Sequence, residues 1–210
     1  MTPQSAVIQG DCLKVLPTLA DGIADLVLTD PPYLVDYHDR SGRSITGDKE
    51  GGWLRPAFSE ISRVMKSGSF CVCFYGWNRV DKFMEAWKTA GLRPVGHFVF
   101  VKGYESSHGV VGYWHEAAYL LQKGERGREP QFVLPDIQPW HYTGNKLHPT
   151  QKPVPSLKPI LEAFTERGEL VLDPFCGSGS TLLAAKILGR RYLGIELSEE
   201  YADVAKERLQ

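Results

Sequence analysis

Asp25-Leu26-Val27-Leu28-Thr29-Asp30-Pro31-Pro32-Tyr33 joins a short apolar run to a turn with two consecutive prolines. The apolar run predicts a buried β-strand that ends at the turn. Each proline fixes its own φ and lacks an amide donor, and Pro31 keeps Asp30 out of the helical region. We therefore expect a stiff turn at the carboxyl end of a strand, where open α/β sheets hold their active sites. Taken alone, these four turn residues are better explained as a rigid loop that has no function.

A second apolar run leads into a glycine-rich turn far along the chain. Residues 171–181 read Val-Leu-Asp-Pro-Phe-Cys-Gly-Ser-Gly-Ser-Thr, and a helical run follows over 182–188. The glycines allow the backbone to approach a ligand closely at the N-terminus of a helix. Because many nucleotide sites share such a turn, the turn alone does not identify the ligand.

The two turns together resemble a known family. Asp30-Pro31-Pro32-Tyr33 precedes Phe175-Cys176-Gly177-Ser178-Gly179, and this order resembles the permuted beta group of DNA amino-methyltransferases. Members of that group transfer a methyl group from S-adenosyl-L-methionine, releasing S-adenosyl-L-homocysteine. The resemblance extends from Gly10 to the last helix and is weakest over 102–147. It implies an enzyme that acts on double-stranded DNA.

Alternating strand and helix patterns predict the fold. Strands are expected over 6–9, 25–29, 69–75, 95–101, 115–123, 171–172 and 191–197, and helices over 53–64, 79–90, 154–164, 182–188 and from Ser198 onward. This alternation predicts an α/β fold with a doubly wound, mostly parallel Rossmann-like sheet and helices on both faces. We expect one catalytic domain over 1–210 with a short target-recognition insertion over 102–147. A proline-containing connection is predicted over 130–142.

Composition is compatible with this interpretation. The 210 residues include 42% hydrophobic and 23% charged residues, enough for one sizeable core. A net charge of -1 gives no global basic signature, so a nucleic-acid partner would need a local patch. Cys12, Cys71, Cys73 and Cys176 contain no Cys-x-x-Cys pair and are expected to be reduced thiols of a cytoplasmic protein. We expect no secretion, no membrane insertion and no metal site.

The expected catalytic residues are Asp30, Pro31, Pro32 and Tyr33. An exocyclic amino group is a poor nucleophile because its lone pair is delocalised into the ring. If the Asp30 carboxylate and the Pro31 carbonyl accept its N–H bonds, the lone pair turns towards the methyl donor. The base would flip out of the duplex and stack on Tyr33. Asp rather than Ser at position 30 favours adenine N6 in this family, and cytosine N4 is the alternative. A non-catalytic DNA-binding or nucleotide-binding module of the same fold, and more distantly a hydride-transfer enzyme, are the alternatives from other classes.

The resemblance also implies a cofactor pocket. Asp11 would meet the adenine amino group of the cofactor, although a helix N-cap is its alternative role. Glu196 lies about 20 residues beyond the glycine turn, where an acidic residue accepts ribose hydroxyls. The segment 148–153 would lie at the methionine end. The predicted cofactor-binding residues are Asp11, Cys12, Asp30, His148, Thr150, Gln151, Lys152, Asp173, Phe175, Cys176, Gly177, Ser178, Gly179, Thr181 and Glu196.

DNA contacts are predicted from cations in two polar segments. Residues 34–48 predict a mobile loop beside the site, and the segment 102–147 is short for reading several base edges. A homodimer, common among small relatives, is compatible with that shortness. The candidate phosphate contacts are Arg40, Arg43, Lys102, Lys123, Arg126, Arg128 and Lys146, and a solvated surface is the alternative for each.

Overall fold

The computed structural model describes residues 4–36, 51–125 and 127–210. Its strands are β1 (Ala6–Gln9), β2 (Ala24–Thr29), β3 (Met65–Phe74), β4 (Leu92–Val101), β5 (Ser107–His108), β6 (Gly112–Tyr113), β7 (His115–Lys123), β8 (Ile137–Pro139), β9 (Leu170–Asp173) and β10 (Arg191–Glu196). Its α-helices are α1 (Cys12–Val15), α2 (Leu54–Val64), α3 (Val80–Thr89), α4 (Val154–Phe164), α5 (Ser180–Ile187) and α6 (Glu199–Arg208). Among these helices, none has the length and apolarity needed to span a bilayer.

One sheet organises the molecule. Its 8 strands lie in the order β1-β10-β9-β2-β3-β7-β4-β8, while β5 and β6 form a separate hairpin. The first five strands in this order, from β1 through β10, β9 and β2 to β3, are parallel to one another, and β8 is parallel to β4. The strand β7 runs antiparallel to both of its neighbours, β3 and β4. The strand β7 reverses because it follows β4 through the hairpin, without the helical crossover that a parallel pair needs. The predicted α/β, mostly parallel sheet is confirmed.

The helices cover both faces of the sheet, because alternate strand residues point to opposite sides. Val27 of β2 packs in one cluster with Phe58 of α2 and Trp87 of α3. Its neighbours Leu26 and Leu28 pack in the other cluster with α4 and α5. All of these strand residues are buried, so β2 is apolar on both faces, as a central parallel strand must be.

The point where the winding reverses lies between β9 and β2. These strands are neighbours in register, with Leu26 opposite Val171 and Val27 opposite Leu172. The chain continues from β9 to β10 on one side and from β2 to β3 on the other. In open α/β sheets a crevice forms at such a point, outside the carboxyl ends of the strands. The proline turn and the glycine turn therefore leave the sheet side by side.

Most predicted elements agree with the observed bounds, but β3 and β4 begin at Met65 and Leu92, before their predicted starts at 69 and 95, and two elements in the connections were not predicted. Strands β1 and β7 and helix α4 occupy their predicted ranges, and the four cysteines are buried without disulfides, as expected. The connection 130–142 contains β8, a three-residue strand at the edge of the sheet that ends in proline. The hairpin of β5 and β6 was also not predicted. Both elements are too short to produce a periodic pattern.

Candidate active site

The carboxyl ends of the strands open into one cavity of about 1490 Å³. Tyr33 of the proline turn and Gly177 of the glycine turn both line it. A pocket for one small ligand usually measures about 300–1,000 Å³. This cavity therefore has room for a nucleoside cofactor together with a second flat ring.

Asp30 is held by two donors in the cavity wall. The Tyr33 hydroxyl donates to Asp30 Oδ1 over 2.8 Å, and Lys152 Nζ donates to Asp30 Oδ2 over 2.5 Å. Burial raises the pKa of Asp30, and the Lys152 ammonium opposes that rise. Tyr33 is fixed from behind by Gly76, since a Cβ at position 76 would lie 2.9 Å from Tyr33 Cβ. The carboxylate is thus placed at the cavity with a defined orientation.

The glycine turn is tied to the end of β10 by Glu196. Gly177 N donates to Glu196 Oε2 and Ser198 N donates to Glu196 Oε1, each over 2.8 Å. Burial raises the pKa of Glu196, and its backbone donors lower it. The His148 ring lies against the turn, because a Cβ at Gly177 would be 3.4 Å from His148 Cδ2. This arrangement brings the segment 148–153 beside the glycine turn.

Two aspartates at the cavity also have structural contacts. Asp173 Oδ1 accepts hydrogen bonds from Thr29 Oγ1 (2.8 Å) and Phe175 N (3.2 Å), which links the ends of β2 and β9. Burial raises the pKa of Asp173 to about 7. Asp11 caps α1, with Oδ1 accepting from Leu13 N over 2.9 Å. The capping role and the cavity position of Asp11 therefore coexist.

The structure brings nearly all of the predicted catalytic and cofactor residues to this cavity. The exception is Gly179, which is absent from the cavity lining. Gly179 has φ +79° at the N-cap of α5, and a Cβ there would lie 3.0 Å from the Cβ of Ala205 in α6. Its position is explained by close packing of two helices. The predicted residues that line the cavity are Asp11, Cys12, Asp30, Pro31, Pro32, Tyr33, His148, Thr150, Gln151, Lys152, Asp173, Phe175, Cys176, Gly177, Ser178, Thr181 and Glu196.

Two predicted phosphate contacts, Lys123 and Arg128, lie at the edge of the sheet opposite the cavity. Lys123 Nζ donates to the carbonyl of Met65 over 2.7 Å, where β3 begins. Arg128 Nη1 pairs with Glu169 over 2.7 Å, just before β9 begins. Because β7 is antiparallel, its C-terminal end lies at the amino edge of the parallel strands, opposite the cavity. Lys123 and Arg128 therefore stabilise that edge and do not face a base in the cavity.

The remaining predicted cations have different positions. Lys102 is buried, pairs with Glu116 and lies 5.4 Å from the centre of the Trp140 ring, in the cavity wall and away from the surface. Lys146 is exposed next to Asn145, which lines the cavity. The candidates Arg40, Arg43 and Arg126 lie outside the described residues.

Some cavity residues were not predicted from the sequence. Gly76 lies two residues beyond the end of β3, so a search of the positions just after each strand, where Asp30 also lies, could have found it. The ring centres of Trp53 and Phe175 are 5.1 Å apart. Trp53 begins a helical pattern in the sequence, and that pattern does not indicate a position at the cavity. The sequence predicts Glu116 only as a strand residue. Its pairing with Lys102 across β4 and β7 depends on a register that the sequence does not show.

The sheet order, with β7 reversed, and the cavity at the carboxyl edge define a Rossmann-like methyltransferase fold. The solved structure of M1.HpyAVI in complex with SAM superposes with a TM-score of 0.77 at 22% identity, covering 98% of each chain.

Sequence comparison narrows the class to a family. The model of the DNA methylase family N6_N4_Mtase matches residues 120–207. The Escherichia coli (strain K12) protein named "Putative methylase YubD" is 55% identical over 205 residues, which covers 98% of this chain and 90% of that protein. The Type II methyltransferase M.HinfI of Haemophilus influenzae is 28% identical, covering 98% of this chain and 68% of that protein. The chain belongs to the DNA methylase family of N6/N4 amino-methyltransferases.

Proposed function

We propose that this protein transfers a methyl group from S-adenosyl-L-methionine to the exocyclic N6 of adenine in double-stranded DNA. The observation that carries the proposal is the shared cavity, in which the Asp30 carboxylate faces the same space as Gly177 and Glu196. Family membership supports DNA methylation as the reaction, and the fold neighbour M1.HpyAVI is described as a complex with SAM. The proposed site of action is the cytoplasm.

The residues of the glycine turn and its surroundings fit the proposed cofactor. Glu196 presents a carboxylate at the end of β10, where ribose hydroxyls are conventionally accepted. The Trp53 and Phe175 rings meet at the cavity and offer apolar surface to a flat heterocycle. When bound, the cofactor supplies a methyl group activated by the positive charge of a sulfonium.

Asp30 and Pro31 act on the other reactant. Their carboxylate and carbonyl oxygens accept the two N–H bonds of the target amino group, which directs the nitrogen lone pair towards the donor. The nitrogen gains a bond to the methyl carbon as the sulfur–carbon bond breaks. The proton then leaves the methylated nitrogen readily, so Asp30 acts as a hydrogen-bond acceptor and does not have to be a strong base.

The target base reaches this site only after it leaves the stack, because the amino nitrogen is inaccessible inside a duplex. Tyr33 offers a ring for the flipped base. We propose that the segment 102–147 contacts the DNA around it. Several of its residues, Lys102, Tyr104 and Trp140 among them, line the same cavity.

The choice of base follows from position 30, where Asp favours adenine over cytosine in this family. Cytosine N4 is the competing acceptor. The test is incubation of the protein with duplex DNA and methyl-labelled S-adenosyl-L-methionine, followed by digestion to nucleosides. We expect the label in N6-methyl-2'-deoxyadenosine; label in N4-methyl-2'-deoxycytidine would identify the competing function. Binding of the cofactor without transfer to any DNA would instead indicate a non-catalytic module and contradict the proposal.

A further inference from the structure

The proposed chemistry requires an ionised carboxylate at a place where burial favours the neutral acid. Lys152 lies at that carboxylate. Its Nζ is 2.5 Å from Asp30 Oδ2 and 3.4 Å from the Tyr33 hydroxyl. The Lys152 side chain is only 9% exposed, so the ion pair is largely shielded from water. A contact of this kind is far stronger than the same pair at the surface.

Three parts of the molecule hold the ammonium in place. It lies 4.9 Å from the centre of the Phe74 ring, at the end of β3, and 5.5 Å from the centre of the Tyr33 ring. Both rings attract a cation through their faces. The backbone that carries Lys152 is constrained by the buried Pro149 and Pro153 on either side. Lys152 is thus directed at Asp30 by its surroundings.

We propose that Lys152 is a positioning residue for Asp30: its ammonium keeps the Asp30 carboxylate ionised and orients it towards the target amino group. The inference deepens the proposed function and rests on it. It also replaces the role in cofactor binding that the sequence motif suggested for Lys152.

Among the residues that the structure describes, the other titratable groups that face Asp30 do not supply a positive charge. Tyr33 and Cys73 have pKa values raised well above their ordinary ones by burial, so both stay neutral at physiological pH. Glu116 raises the pKa of Asp30, and Asp173 is a further carboxyl near it. If Lys152 lost its charge, the pKa of Asp30 would rise. A protonated Asp30 could no longer accept the N–H of the base through that oxygen.

The test compares Lys152→Met, Lys152→Arg and the wild type in two measurements. In the first, carbon NMR follows the titration of the Asp30 carboxyl in the protein without cofactor or DNA, so its result does not depend on methylation. We expect the Asp30 pKa to rise by about 1–3 units in Lys152→Met, since an opposite charge at this distance depresses a carboxyl pKa by that amount. Lys152→Arg keeps the positive charge and should leave the pKa near that of the wild type.

The second measurement is the rate of single-turnover methyl transfer between pH 5.5 and 9, at saturating cofactor and DNA. The acidic limb of the profile should move to higher pH in Lys152→Met and return in Lys152→Arg, while the Kd for S-adenosyl-L-methionine at pH 8 changes less than about threefold. The matched control is Lys88→Met, an exposed lysine in the last turn of α3, whose profile should equal that of the wild type.

Two results would overturn the inference. One is an Asp30 titration that does not differ between the wild type and Lys152→Met. The other is an unshifted pH profile combined with weaker cofactor binding, which would return Lys152 to the cofactor site. A wild type that methylates no DNA would contradict the proposed function, and the NMR titration would still decide the role of Lys152.

Discussion

The Asp30 carboxylate is already oriented by two hydrogen bonds and still has lone pairs for a further donor. Its oxygens accept hydrogen bonds from Tyr33 and Lys152 in the absence of DNA, and a carboxylate has lone pairs for further donors. Under the proposed function, the target amino group therefore approaches an acceptor whose direction is already set. Little reorganisation is needed when the base arrives, which is the condition for electrostatic catalysis.

Replacing Asp30 by Asn should separate binding from chemistry. The amide has the same shape, but its NH2 group would face the donating amino group of the base. We expect methyl transfer to fall by at least about 100-fold, the lower range for loss of one preorganised catalytic group. Cofactor affinity, measured by calorimetry, should stay within a few-fold of the wild type. Retention of more than about a tenth of the transfer rate would contradict the role assigned to Asp30.

Gly194 allows β10 to approach the glycine turn and α5. A Cβ at this position would lie 2.3 Å from Leu182 Cδ1 and 2.8 Å from Cys176 Sγ. We expect Gly194→Ala to lower the free energy of unfolding by about 1–3 kcal/mol, the usual cost of overpacking a core. Urea denaturation measures the change. Gly103→Ala is the control, because no heavy atom lies within 4 Å of its added Cβ; equal midpoints for both variants would contradict the prediction.

At the scale of elements, β7 shows what the sequence could and could not predict. Its range, His115–Lys123, follows from its composition and was predicted. Its direction depends on which strands pair with it, and that is decided by contacts between residues distant in sequence. The two turns could be predicted at the carboxyl edge of the sheet because each lies directly after an apolar strand, whereas their proposed roles came from the family resemblance. The position of Lys123, the last residue of β7, could not be predicted because it depends on the direction of that strand.

The hairpin of β5 and β6 carries an exposed apolar tip beside the cavity. Val110 is fully exposed and Val111 is 57% exposed, while Tyr113 lines the cavity and stacks on Trp77 with ring centres 6.0 Å apart. Exposed apolar side chains grouped in this way are typical of interaction surfaces. Under the proposed function, the partner at this position is the DNA around the flipped base.

We therefore expect the double change Val110→Ser and Val111→Ser to weaken DNA binding by about tenfold, since each loses apolar surface that the DNA would cover. The melting temperature and the cofactor affinity should not change. Fluorescence anisotropy of labelled duplex DNA measures the effect. Ile187→Ser, at the exposed end of α5, is the control, and a double variant that binds DNA as tightly as this control would argue against the hairpin contact.

At the scale of the whole molecule, the cavity gathers several buried carboxyl groups of the described residues. Asp30, Asp173 and Glu196 all line it, and burial raises the pKa of each. Burial makes their ionisation unfavourable, and a nearby positive charge, such as the one that Lys152 brings to Asp30, makes it less so. The sulfonium of S-adenosyl-L-methionine supplies such a charge. Binding of this cofactor is therefore favoured, because it offsets the cost of ionising the buried carboxyl groups.

This electrostatic cost makes stability depend on pH, and Asp173 gives the clearest test. Its pKa rises from 3.8 in the unfolded chain to about 7 in the folded protein, so the folded state holds an extra proton between these values. The stabilising contribution is fully present below about pH 4 and is lost as pH rises through about 7.

The variant Asp173→Asn tests this, because its amide oxygen can still accept the hydrogen bond of Thr29 and the side chain carries no charge. The difference in unfolding free energy between this variant and the wild type should be larger at pH 8 than at pH 5 by on the order of 2–4 kcal/mol in favour of the variant. Urea denaturation at both pH values measures it. Asp203→Asn, on the exposed surface of α6, should show no such gain, and parallel pH dependences for the wild type and Asp173→Asn would mean that Asp173 is ionised throughout this range.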